Sequence, residues 1–414
     1  MARILTPQDA HVIMNLLVGQ ATGQSALAAV DASNFVSAGE TVLATGMENT
    51  LNSLSLITGR TFAAVRPWDA KFRIVNAINT GEYAHRIRKI SYYSRPAQPA
   101  GDWNTQLYTN FAPGFTNGQN EDAEGKARSV KSMWEQNPPV VMEENFGGSS
   151  VWDVTQTIYE YQLKPAFRSD DAFAEFVSGI MTERANDIES QKEAFSRMLV
   201  LNHIAATLDN GAVESKVNLT AEFNKRYNQT YTTAQLLGEH YTELMQFFVA
   251  AVQTYSDRMT NRDTLYHVAP TKSGYELLRH TPKDRQRLML YNPFINEARA
   301  MVMSGIFNPG YLDVDNYEGV DYWQSVETPA GINVTPAIMN TSTGLQVAGN
   351  NVTQNYIVGV LYDVDAMMID FQLDSSGVSP LEVRKMYRNM VWHFSRNAIS
   401  DQTEKTIVFY MADE

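Results

Sequence analysis

Cysteine is absent from this 414-residue chain. That excludes disulfides, thiol catalysis and cysteine-based zinc sites. Long apolar runs are missing too: a stretch such as Phe247–Val252 is far too short to cross a membrane. Residues Met1 to Thr6 lack the charged region and apolar core of a secretory signal. The chain therefore reads as a cytosolic product. The Asn-x-Ser/Thr triplets at Asn218, Asn228, Asn333, Asn340 and Asn351 then read as chance occurrences. Basic runs are short, none longer than Arg86-Ile87-Arg88-Lys89, and the formal net charge is −13. Proteins that grip nucleic acid through its phosphates carry a basic face, so specific nucleic-acid binding is not expected.

Catalytic signatures are equally scarce. No Gly-x-x-x-x-Gly-Lys-Ser/Thr loop and no Gly-x-Gly-x-x-Gly after a strand occurs. Gly147-Gly148-Ser149-Ser150 fails the nucleophile-elbow pattern. The seven histidines lie far apart, and His393 beside Trp392 reads as a packed strand residue. Asp313 to Glu318 hints at a calcium loop but lacks glycine at the sixth position and the closing bidentate glutamate. Asp363 and Asp365 would share one strand face and read as part of a solvated turn. No catalytic residue, cofactor or metal is assigned.

What the chain does have is bulk. Its hydrophobic content of 44% and charged content of 19% are those of a globular protein, and its length calls for more than one core. Against that background Arg60 to Ser150 stands out as polar and poor in core periodicity. About 90 residues that cannot bury themselves are rare in an enzyme domain. Such a segment makes sense if another copy of the chain covers it, and that points to assembly. Tyr83 to Tyr93 alternates with strand period, and Pro139 to Glu144 returns as a second strand. The outgoing limb, 71 to 95, carries six basic residues against the single acid Glu82. A long hairpin with limbs of mixed sign suits docking on a neighbour. Twenty paired residues would reach over about 60 Å.

The other elements read as follows. A helix opens at Thr6-Pro7 and runs to about Leu17; the rest of 1–60 reads as an arm lying along something else. Ser169 caps a helix with Asp170 and Asp171 in its first turn, and Phe173, Val177, Phe195, Leu199 and Ala205 continue its apolar stripe to about Leu208. Residues 211 to 345 read as a mixed α/β lobe. In it, Thr232 to Gln253 and Phe294 to Met303 are helices, Lys272 to Leu278 a short helix, and Leu265 to Val268 and Leu288 to Tyr291 strands. Thr341 to Asn351 is a loop. Near the C-terminus Ile357 to Tyr362, Met367 to Asp370, Val391 to Ser395 and Thr406 to Met411 are strands. Ser379-Pro380-Leu381-Glu382 opens a helical or turn segment between them.

Two stretches carry a family resemblance. One is Phe173 to Leu208 with its lead-in, Leu163-Lys-Pro-Ala-Phe-Arg-Ser-Asp-Asp171. The other is Val360 to Ile369, followed by Ser379-Pro380, Arg384, Trp392-His393 and Val408-Phe409. They resemble the spine helix and closing strands of tailed-bacteriophage major capsid proteins of the Hong Kong 97-type fold. The likeness is nearest to the capsid proteins of short-tailed and crAss-like phages. The resemblance implies an α+β chain with an N-terminal arm (1–60), an extended hairpin loop (61–148), a peripheral domain with the spine helix (149–210), an axial domain (211–345) and return strands (346–414). It implies hexamers and pentamers tiling an icosahedral shell around non-specifically held double-stranded DNA. A scaffolding protein, a portal and decoration proteins would be partners, with assembly in the host cytoplasm. Arg86, Arg88 and Lys89 would face acidic residues of an adjacent copy. No immunoglobulin-like domain is seen after Met411, and no coiled-coil scaffold segment at the N-terminus. Lys126 or Lys131 could be proposed for a lysine–asparagine crosslink, which no motif supports. The competing readings are an encapsulin-like nanocompartment shell and a soluble hydrolase.

Overall fold

A computed structural model describes residues 7–22, 30–31, 33–46, 50, 53, 76–78, 86–94, 139–147, 150–159, 166–270, 276–300, 317–340, 343 and 345–413. In chain order the first elements are α1 (Pro7–Thr22), α2 (Phe35–Ala44), β1 (Asn76–Ile78), β2 (Arg86–Tyr92), β3 (Val141–Gly147), β4 (Ser150–Tyr159) and α3 (Asp170–Asn210). A lobe follows: β5 (Lys216–Asn218), α4 (Leu219–Tyr227), α5 (Thr233–Leu237), α6 (Tyr241–Met259), β6 (Gln286–Tyr291), α7 (Asn292–Ala300) and β7 (Tyr317–Val320). Four short strands, β8 (Ile332–Val334), β9 (Ala337–Met339), β10 (Gln346–Ala348) and β11 (Val352–Gln354), lead to β12 (Ile357–Asp363), β13 (Met367–Val378), β14 (Tyr387–Ser400) and β15 (Thr406–Tyr410). The order of hairpin, long helix, α/β lobe and return strands agrees with the α+β order expected from the sequence.

Helix α3 is the axis of the molecule. Its 41 residues span about 60 Å. Ser169 starts it in extended backbone, its side chain accepting from the Ala172 amide, with Asp170 and Asp171 at the positive end of the dipole. The N-terminal end, through Phe173, Ala174 and Val177, belongs to a core shared with α1, α2, Phe167 and the strand residues Ile158, Met390, Trp392 and Phe394. The C-terminal end, from Phe195 to Ala205, belongs to a second and larger core with α4, α6 and a five-stranded sheet. One helix thus stiffens two cores that its length keeps apart.

Two sheets flank it. One has the order β1-β13-β14-β4, the other β5-β15-β12-β6-β7. The second sheet takes strands from both sides of residue 345. Strand β12 is buried along its whole length, which explains its unbroken apolar run. Gly359 lets it approach β6, because a Cβ there would come within 2.6 Å of the Met289 carbonyl oxygen. His203 of α3 bonds Ser400 and Thr406 with its two ring nitrogens, both at 2.9 Å. Burial pushes this imidazole down to about 4, so it is neutral and structural at pH 7.

Several expectations are corrected. Residues 7–22 and 35–44 do not stand away from their own subunit. They pack on their own chain, with Phe35 in ring contact with Phe173 at 5.7 Å. The helix expected over 232–253 is broken after Leu237, where α5, closed by a Thr232–Gln235 capping box, stops at Gly238. Residues 265–268 are not a strand: Tyr266 takes φ +66, which turns the backbone. Glu276 forms a bridge with Ser94 where a helix was expected. The segment after Ser379, expected as helical or a turn, is the turn between β13 and β14, with Met386 at φ +54. Val347 lies in strand β10 within the stretch read as a loop.

The first core should be sensitive at its centre. Phe173 is fully buried against Phe35 and Phe167. Phe173→Ala is expected to cost about 3–5 kcal/mol. Amide exchange should accelerate first in α1 and α2, with β15 least affected.

Candidate inter-subunit site at the hairpin root

Strands β2 and β3 pair antiparallel, Lys89 opposite Glu144, Ile90 opposite Glu143 and Tyr92 opposite Val141. Strand alternation separates two faces. Lys89, Ser91, Met142 and Glu144 turn toward the body of the subunit, and Ser91, Met142 and Glu144 are buried. Arg88, Ile90, Tyr92, Val141 and Glu143 face solvent, with Tyr92 68% exposed. Both faces are mixed: Lys89 and Glu144 point inward beside the buried Met142 and Phe146, while an isoleucine, a tyrosine and a valine point out beside Arg88 and Glu143.

The inward face plugs into the loop between β14 and β15. Lys89 Nζ donates to the buried Asp401 carboxylate and to Glu404 Oε1, the latter at 2.5 Å. Arg279 reaches the same place from the other side: Nη2 donates to Ser91 Oγ at 2.6 Å, and Nε to the Thr403 carbonyl at 3.2 Å. Backbone bonds between Ser94 and Glu276 tie the next residues of the hairpin to the lobe. Nearby, the fully buried Lys405 is matched by Asp263 at 2.7 Å.

The charges at this root are adjusted to one another. Burial would raise the Asp401 carboxyl, but the Lys89 charge and hydrogen bonds from Lys89 and Thr403 hold it below the usual carboxylate range. Burial would lower the Lys89 amine, yet Asp401 and Glu404 keep it above its ordinary value. Burial raises Glu404, Lys89 opposing. Burial, reinforced by the Asp401 charge, pushes Glu144 up to about 8. At pH 7 Glu144 is then mainly the neutral acid, and the cations Lys89 and Arg279 stand against Asp401 and Glu404.

The residues singled out from sequence fall in different places. Arg88 is exposed and donates to Glu143 at 2.5 Å on the same hairpin. Lys89 does not face outward; it is held by its own chain, because strand period sends it to the opposite face from Arg88. Arg86 pairs in register with Gly147, and its side chain lies outside the described residues, as do Lys126 and Lys131. Asp363 and Asp365 share Arg285 as ion-pair partner. Asp313 to Asn316 lie outside the described residues, and His393 sits on β14 but is solvent-exposed, not packed. Among the described residues no group of three or more histidine, aspartate or glutamate side chains is placed to hold a metal. No described helix is long and apolar enough to cross a membrane. The sequence reading missed Glu144, Arg279, Asp401 and Thr403. The polar run Ser400 to Lys405 between two apolar strands reads as a solvated loop, and only the tertiary structure shows that it is buried.

Residues 117–409 match the family model of the Phi29-like phage major capsid protein. This chain belongs to that family. It is a structural protein of the virion, not an enzyme, and copies of it assemble with one another into the capsid shell. Nothing here favours the nanocompartment or hydrolase readings. Among solved structures the capsid protein is similar to the capsid of Staphylococcus phage Andhra at 10% identity and TM-score 0.48, over 82% of this chain and 84% of that one. A structure of head fiber and inner core protein gp22 of bacteriophage P68 matches at 9% and 0.49, over 82% and 84%. The mature capsid of bacteriophage PhiM1 matches at 9% and 0.40, over 83% and 87%. These likenesses are loose, and the family assignment stands on the sequence match. No curated protein matches the chain significantly.

Lys89 and Arg88 should differ in the size of their effect on substitution. Removing one partner of a buried pair costs about 3–5 kcal/mol. Lys89→Met should fall near the low end, because Lys89 keeps 24% of its side-chain surface in water while Asp401 keeps none. Arg88→Ala removes an exposed pair and should cost about 0.2–1 kcal/mol. Urea denaturation of unassembled subunits measures both.

Proposed function

We propose that this capsid protein forms hexamers and pentamers, and that they close into an icosahedral shell around double-stranded DNA. In this reading the outward face of the β2–β3 hairpin docks on the neighbouring copy. The observation that carries the reading is the exposed apolar patch on the outer face of the hairpin. Ile90 is 49%, Tyr92 68% and Val141 46% exposed on one face. Tyr92 stands directly opposite Val141, with Ile90 two residues along on the same side. Contiguous exposed apolar side chains mark a contact surface, and tyrosine is enriched among the residues that dominate binding energy. Arg88 and Glu143 flank the patch and would set register. Exposed pairs of this kind are worth little individually, so apolar burial supplies most of the affinity.

Of the three cations expected to face a neighbour, Arg88 keeps that role most directly and Arg86 stays beside it. Lys89 serves indirectly, by fixing the hairpin's root. The α4–α7 lobe would point toward the capsomer centre. A separate scaffolding protein and a portal would guide closure in the host cytoplasm, and decoration proteins would bind afterwards. The acidic net charge of −13 suits a wall that encloses DNA without adhering to it.

The test is negative-stain electron microscopy of assembly reactions, with source lysate supplying any scaffold. Tyr92→Ser and Ile90→Ser should leave the urea midpoint of the free subunit almost unchanged, as surface substitutions do. Each lost kcal/mol is multiplied around a ring, and about 1.4 kcal/mol per contact already shifts the required concentration tenfold. Shells should therefore fail at concentrations where the unaltered protein closes. Normal shells from both variants would remove the hairpin face from the interface.

A further inference from the structure

The Thr403 hydroxyl lies between two carboxyl groups. Its Oγ1 is 2.7 Å from Asp401 Oδ1 and 3.2 Å from Glu144 Oε2. A hydroxyl carries one proton. The shorter contact, to a carboxylate held ionised by Lys89, takes that proton. The contact to Glu144 is then a hydrogen bond only if Glu144 supplies a proton of its own. The other Glu144 oxygen, Oε1, is buried with no hydrogen-bond partner among the described residues. An ionised carboxylate left so is costly, whereas a neutral acid tolerates it.

We propose that Glu144 is a proton-held latch: as a carboxylic acid donating to Thr403 it keeps the root of the β2–β3 hairpin seated on the lobe, and loss of that proton frees the hairpin to swing. The contacts that would have to break are few. Among the described residues they include the Lys89 ion pairs, the Lys89–Thr403, Arg279–Ser91 and Arg262–Ser94 side-chain bonds and the two Ser94–Glu276 backbone bonds.

The groups facing Glu144 decide the sign. Lys89 lies on β2 and Tyr93 just after it, Asp401 and Glu404 on the β14–β15 loop, and Arg279 on the segment before β6. His203 on α3 stands near Asp401 and is neutral through burial. Lys405 is occupied by Asp263. Burial and the Asp401 charge together outweigh Lys89, so the seated state holds the Glu144 proton up to about 8, against 4.5 for an ordinary glutamate. Between those values the seated hairpin binds one proton more than the released one. Its opening constant therefore rises with pH, about tenfold per unit for one proton, and levels off above about 8. Asp401 contributes in the opposite sense and only in acid: its folded value is depressed, so the stability it adds is lost as pH falls below the ordinary carboxylate range.

The latch is internal to one chain and is tested on unassembled full-length subunits, so its failure leaves the docking face untouched; any effect on shell closure rests on that docking reading. Hydrogen-exchange protection of 86–94 and 139–147 is followed from pH 6 to 9, corrected for intrinsic exchange, with 286–291 and 406–410 as internal reference. The expected result is protection at the hairpin falling about tenfold per pH unit up to about 8 while the reference strands hold. Glu144→Gln keeps a neutral donor and should remove that one-proton dependence while staying protected. Thr403→Val deletes the acceptor and should open the root already at pH 6. A flat profile in the unaltered chain, uniform loss across hairpin and reference strands, or the same slope in Glu144→Gln would each overturn the proposal. The unaltered chain alone decides the matter if either variant does not fold.

Discussion

One helix shared between two hydrophobic cores is the constraint on which the rest of the capsid protein depends. A 41-residue helix has too little stabilisation of its own to remain straight in water, because most helical stability in proteins comes from packing. Here each end is packed. Phe173 and Val177 anchor one end among the N-terminal helices, and Leu199, Ile204 and Ala205 anchor the other beneath the five-stranded sheet. Strands β13 and β14 repeat the same bridging, with Met390 and Trp392 in the first core and Met367 and Ile369 in the second. Two long elements tied at both ends make a plate that resists bending, which is what a shell subunit needs.

The hairpin is attached to that plate by a different kind of contact. Its root is held by charges and hydrogen bonds. Such bonds give direction, since a guanidinium or ammonium must meet its partners at fixed geometry, but little net stability, because removing these groups from water offsets most of their attraction. Rigid body and orientable limb thus use opposite chemistry. The limb's outer face is left free to be apolar, and Ile90, Tyr92 and Val141 occupy it.

Much of this was legible in the sequence, for identifiable reasons. Ser169 before Asp170-Asp171, and a stripe continuing for over thirty residues, specified α3 and its cap. Alternation specified β2 and β3, and the unbroken apolar runs specified β6, β12 and β15. The errors fall where tertiary context overrides local pattern. Residues 1–60 are rich in small and polar side chains, and the burial of the described helices 7–22 and 35–44 depends on Phe167 and Phe173, far along the chain. Gly39 illustrates this: a Cβ there would sit 2.8 Å from the Phe167 ring, a close approach no local pattern announces. The candidate site was half legible. Period two puts Lys89 on the opposite face from Arg88, and a strict reading of it would have kept the two from sharing a role. Asp401 and Thr403 could not have been found, because a buried polar turn has the same composition as a solvated one.

Charge balance explains why the buried root is compatible with an acidic chain. The protein carries −13 overall, and like charges brought together in a shell repel one another. A limb fixed by an unbalanced carboxylate cluster would add to that repulsion where copies meet. Lys89 and Arg279 set against Asp401 and Glu404, with Glu144 held as the neutral acid, instead keep the net charge of the root low, so the limb's own anchor adds little to that repulsion. The exposed pair Arg88–Glu143 is neutral. On the proposed docking reading Ile90, Tyr92 and Val141 then supply most of the affinity, with Arg88 and Glu143 at their edge. Weak contacts of that sort can be corrected individually during assembly, yet hold collectively once a ring is closed.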